Sequence, residues 1–140
     1  MVKSGTVTVK ANPVALIPTS LSIETSLTSG TIPLTVKISG MLTEAGTPNG
    51  IGGRTIYIYR KKSSDPSFPS TPLGSTVTQS YSTELYDKGY YAYTDTLTTE
   101  GSYDYQAEFR GDSTYAGCPG SESAERTEDV HLAAQRYAER

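Results

Sequence analysis

The chain has 140 residues, of which 35% are hydrophobic and 19% charged, with a formal net charge of −3. That length suits one domain, and the acidic balance argues against a nucleic-acid binder, which needs Lys and Arg to displace counterions from phosphates. The longest apolar run, Val14 to Ile17, falls far short of a membrane span, so no membrane insertion is expected.

Tyr is nearly the only aromatic residue, with 11 Tyr against 2 Phe and no Trp. Together with abundant Ser, Thr, Gly and Pro, this suits many short strands joined by tight turns. Met1-Val-Lys-Ser does not resemble a signal peptide. Gly5 to Lys10 reads as a short strand with Val7 and Val9 on one face, and a chain opening this way suggests a piece of a longer protein. Residues 1–18 are therefore expected to form an N-terminal strand and linker.

The domain proper is expected over 19–132. Ser20 to Thr25 is predicted as a strand with Leu21 and Ile23 inward. Leu34 to Leu42 follows, with Leu34, Val36, Ile38 and Leu42 inward and Lys37 outward. Thr43 to Arg54, rich in Gly, Pro and Asn, is a turn region. In Thr55 to Arg60, Ile56 and Ile58 alternate with Tyr57 and Tyr59, which puts the tyrosines outside. Arg60-Lys61-Lys62 is expected to cap that strand and start a solvated loop. Leu73 to Ser80 is a weak strand around Val77. Tyr90 to Leu97 is a strand with Tyr91, Tyr93 and Leu97 inward.

The clearest element starts after Gly101. Tyr103, Tyr105, Ala107 and Phe109 alternate with Asp104, Gln106, Glu108 and Arg110, one dry face against one wet face. Gly111-Asp112 then opens a turn. A last strand is expected within Ser123 to Leu132, best supported by Val130 and Leu132, and 133–140 reads as a tail. About seven strands at this spacing predict an all-β fold, an antiparallel β-sandwich with Greek-key connections.

Leu34-Thr-Val-Lys-Ile-Ser-Gly-Met-Leu-Thr43, Gly50 to Tyr59, Gly89-Tyr-Tyr-Ala-Tyr93 and above all Gly101 to Tyr115 resemble the bacterial Ig-like domains of prokaryotic surface proteins. The resemblance covers roughly Thr19 to Leu132. It implies a non-enzymatic module repeated in a long extracellular or cell-surface chain, a spacer or adhesin stalk whose partners are neighbouring modules. It also implies that Ser4 to Lys10 ends a preceding module, and that Tyr103 occupies a tyrosine corner, its hydroxyl bonding nearby backbone. Asp112 is expected to cap its own turn.

Little in the residues points to catalysis or to a cofactor. One Cys and one His, Cys118 and His131, cannot build a zinc site and make a weak nucleophile pair. Cys118 reads as a surface or half-buried thiol. Asp95, Asp112 and Asp129 could each touch a surface Ca²⁺, but no acidic calcium loop is present. Asp104 and Glu108 share a face about 13 Å apart, beyond the usual span of a glycosidase pair. Alternation would bury Asp95, which would then need a partner; the preferred expectation is a bulge that turns it to solvent.

The remaining constellation is aromatic. Tyr57 and Tyr59 beside Asp104, Gln106 and Glu108 would make an outward patch able to stack on a glycan or meet a surface protein. The same residues serve equally for cross-strand packing on a wet face. The strand Thr6 to Lys10 could also pair with a neighbouring subunit's sheet edge.

Overall fold

The computed structural model describes residues 15–118 and the backbone of 130–135. It contains nine strand elements: β1 (Thr19–Leu21), β2 (Glu24–Thr25), β3 (Ser29–Thr31), β4 (Leu34–Glu44), β5 (Thr55–Lys62), β6 (Gly74–Val77), β7 (Tyr90–Leu97), β8 (Gly101–Glu108) and β9 (Val130–Gln135). The expected strand at Gly5 to Lys10 lies outside the described residues. β9 runs past Leu132 to Gln135, into the stretch read as a tail.

The strands form two sheets, an Ig-like β-sandwich. In the first, β4 is central, with β1 and β2 along one side and β7 along the other, all antiparallel. The second has the order β3-β9-β8-β5-β6. Its pairs are antiparallel except β3 with β9, which run parallel from Ser29↔Ala133 to Thr31↔Gln135. The antiparallel sandwich expected from the sequence stands, with β3 against β9 as the one parallel pair among the described strands. Sequence patterning misses β3 because Ser29-Gly30-Thr31 has no alternation and is held as a strand only by its distant partner.

Alternation built the core. Val36, Ile38 and Leu42 of β4 and Tyr91 and Leu97 of β7 are buried against Ile56 and Ile58 of β5 and Tyr103, Tyr105 and Ala107 of β8. Tyr93 is half-buried against this core, with its ring beside Gly74 of β6. Cys118 is a buried core residue rather than a surface thiol, and its backbone exchanges hydrogen bonds with Phe109.

β1 and β2 are one edge strand interrupted at Ser22 and Ile23. Ser22 bonds to β4 within the interruption, and Ser26 does so just beyond β2. Each donates its backbone N–H to β4, to Met41 and Lys37 respectively, and each hydroxyl accepts the N–H of that same residue at 2.9 and 3.0 Å. Gly40 makes this approach possible, since a Cβ there would overlap the Ser22 carbonyl.

The chain enters and leaves at opposite poles. Thr19 lies opposite Glu44, and Ile17 bridges to Tyr115, at one end. The last residues of β9 lie opposite Gly101, at the end where β4 starts against Leu97.

Candidate functional site

The sequence-derived patch comes together on the outer face of the second sheet. Register places Tyr57 opposite Glu108, Tyr59 opposite Gln106 and Lys61 opposite Asp104. Its side chains are engaged with one another. The Tyr59 hydroxyl donates to Glu108 Oε1 at 2.6 Å and accepts from an Arg110 nitrogen at 3.2 Å. Arg110 Nε also donates to Glu108, at 3.1 Å, and the guanidinium lies 3.7 Å over the Tyr57 ring. Lys61 and Ser63 both donate to Asp104, at 2.9 and 2.8 Å.

The expectation of two open tyrosines is corrected here. Tyr59 is only 7% exposed although it points away from the core, and Arg110 covers Tyr57, which is half-buried. Burial and the Glu108 hydrogen bond raise the Tyr59 pKa. The face behaves as a hydrogen-bonded lattice on a wet sheet. At its end Arg54, Tyr57, Arg110 and Asp112 border a shallow groove of about 240 Å³.

Arg60-Lys61-Lys62 also departs from expectation. All three lie within β5, and Arg60 faces the interior. Its guanidinium donates to Asp95 Oδ2 at 2.8 Å, and the Tyr105 hydroxyl donates to the same oxygen at 2.7 Å. Asp95 belongs to one sheet while Arg60 and Tyr105 are cross-strand neighbours in the other, so the three groups tie the sheets together. The expected bulge is absent, because β7 pairs β4 without interruption from Leu97 to Tyr90. Asp95 therefore stays inward, its side chain 10% exposed and that of Arg60 31%. Burial and the Asp95 contact push the Tyr105 pKa far up.

Tyr103 donates to the Thr99 carbonyl at 2.7 Å, four residues upstream, a local tether of the kind a tyrosine corner makes. Asp112 accepts from the backbone N–H groups of Thr114 and Tyr115, both at 2.8 Å, and pairs with Arg54 at 2.7 Å. Those backbone donors, Tyr115 first and then Thr114, hold its carboxyl below the usual range. Among the described residues no group of three or more His, Cys, Asp or Glu could hold a metal ion, and no helix is long and apolar enough to cross a membrane.

Sequence reading missed a second aromatic cluster, on the outer face of the first sheet. Tyr86 stacks on Tyr90 with centroids 4.0 Å apart and an interplanar angle of 12°. Lys37 Nζ lies 5.7 Å over Tyr86, and its hydrogen bond to Tyr90 raises its pKa. Tyr81 and Leu85, 69% and 81% exposed, stand in the preceding loop. The available signal was Tyr90, which alternation places outward beside inward Tyr91.

No family model matches the chain, and no curated protein does. Among solved structures it is similar to the CARDB domain of a Pyrococcus furiosus protein, at 10% identity and a TM-score of 0.48, with 87% of this chain and 98% of that one covered. It is also similar to the PKD domain of an M14-like peptidase from a Thermoplasmatales archaeon, at 12% identity and a TM-score of 0.41, with 83% and 96% covered.

Proposed function

We propose that the chain is a non-catalytic, tension-bearing Ig-like module, a spacer or stalk in an extracellular or cell-surface prokaryotic protein. The observation that carries this reading is that the described residues begin and end at opposite poles. The chain enters at the pole of Ile17 and Tyr115 and leaves at the pole of Gly101 and Ala134. Modules joined in series would then be pulled along the strand direction. β3 and β9 run parallel, so tension that drags β3 back toward the N-terminus and β9 toward the C-terminus loads their hydrogen bonds together, in shear. The Arg60–Asp95–Tyr105 tie across the sheets supports the same reading.

Single-molecule pulling tests it. A tandem repeat pulled through its natural ends is expected to resist several-fold more force than the same module pulled apart at Asp65 and Ser70, which unzips β5 from β6. Equal forces in the two geometries would sink the proposal.

A second reading, recognition of a glycan or surface protein, draws on the stacked Tyr86–Tyr90 pair, of which Tyr86 is exposed and Tyr90 half-buried. Tyr57 beside its groove is the other candidate contact. A glycan-array signal lost in a folded Tyr86→Ala variant would favour this reading and locate the surface.

A further inference from the structure

We infer that the free edge of β7 is a self-association surface, on which a second copy of this chain adds its own β7 antiparallel about a two-fold axis at Thr94. The argument begins with which backbone groups are free. On β4, Lys37 and Met41 exchange hydrogen bonds with Ser26 and Ser22 on the β1/β2 side. Backbone direction alternates along a strand, so the intervening residues of β4 face β7. Their register partners Tyr91, Tyr93, Asp95 and Leu97 face back. Ala92, Thr94 and Thr96 therefore aim their N–H and C=O groups away from the sheet, and no described strand pairs with them.

The other edges are blunted. β3 has three residues and β6 four, and β1/β2 is broken into pieces of three and two residues. β7 is eight residues long, unbroken, and free of Pro, Gly and Lys. Gln79 covers only its Tyr90 end. Long flat edges are templates for another strand, and proteins commonly guard them with charge, proline or a bulge. The one charge here, Asp95, points inward, a placement that can guard an edge, but it is already paired with Arg60 and so adds no net charge there.

A second copy fits by parity. With the axis at Thr94, each Thr94 meets the partner's Thr94 and each Ala92 meets the partner's Thr96, all with outward backbone groups. The outer-face side chains that meet are small and uncharged. A register that set Asp95 against the partner's Asp95 would also pair outward Thr94 with outward Thr96, but it puts two carboxylates directly opposite each other, which is unfavourable.

Sedimentation equilibrium on the full chain tests this. The wild type is expected to form a concentration-dependent dimer. Thr94→Lys sets like charges face to face on the axis, and Thr94→Pro removes an N–H that β4 does not use. Each should weaken the dimer at least tenfold while leaving the far-ultraviolet circular dichroism unchanged. Removal of residues 1–12 should leave the dimer intact. A wild type that stays monomeric at the highest concentration overturns the inference, as does a dimer that persists in both Thr94 variants. Loss of association on removing 1–12 also overturns it, and would identify that segment as the strand that adds to the edge.

Discussion

Asp95 shows what a single buried carboxylate requires. Left alone between two sheets it would carry a large desolvation cost, and one oxygen meets that cost by accepting from Arg60 and Tyr105 together. Asp95→Ala leaves both donors without their acceptor. A fully buried pair broken in this way costs about 3–5 kcal/mol. Arg60 is nearly a third exposed and can rehydrate in part, so the expected loss is nearer the ~1–3 kcal/mol of an unsatisfied buried polar group. Urea denaturation should show a lower midpoint with unchanged slope. The double variant Arg60→Met/Asp95→Leu should recover much of that loss, because no unpaired charge remains. A midpoint for Asp95→Ala within error of wild type would mean that the tie contributes nothing.

At the scale of the element, β4 depends on one residue without a side chain. Gly40 lies where the β1/β2 edge crosses closest, with the Ser22 carbonyl against it and the Tyr91 hydroxyl donating to that carbonyl at 2.6 Å. The obstacle to a methyl group is backbone, which cannot swing aside. Gly40→Ala should therefore push the edge strand outward and cost about 1–3 kcal/mol, as overpacking does. Amide exchange should quicken at Met41 and Lys37, whose N–H groups bond Ser22 and Ser26, and unchanged exchange there would refute the account. The same elements mark what a sequence can disclose. β8 was legible because its inward residues alternate without a break from Tyr103 to Phe109. β3 was not, because a parallel partner about a hundred residues away leaves no local signature. Asp95 was misjudged because its partners lie on another sheet, and alternation reports direction without reporting who waits there. The β5–β8 register places Tyr57, Tyr59, Asp104, Gln106 and Glu108 on one outer face. Its closure by Arg110 depends on side-chain conformation, which residue spacing does not encode.

For the molecule as a whole, the tyrosines make closure of the sandwich measurable. Tyr91 lies in one sheet and Tyr105 in the other, both fully buried, and burial is the main cause that raises both pKa values far above the ordinary value of about 10. The folded state thus holds both phenols neutral where the unfolded chain would release their protons. The unfolded state binds fewer protons once pH exceeds its own tyrosine pKa, so stability falls with rising pH in that range. This contribution is fully present below about pH 10 and is lost progressively above it. Absorbance at the tyrosinate band, followed alongside near-ultraviolet circular dichroism, should therefore resolve two classes. The first is a rise in absorbance while the tertiary signal persists. Tyr91 and Tyr105 should ionise together, in one step that coincides with loss of the tertiary signal, because neither sheet can expose its tyrosine while the other still covers it. Substituting Tyr105 by Phe should remove one proton from that step and make the fall with pH shallower. Complete titration of every tyrosine near pH 10 with the tertiary signal intact would show that the two sheets do not close over these rings in solution.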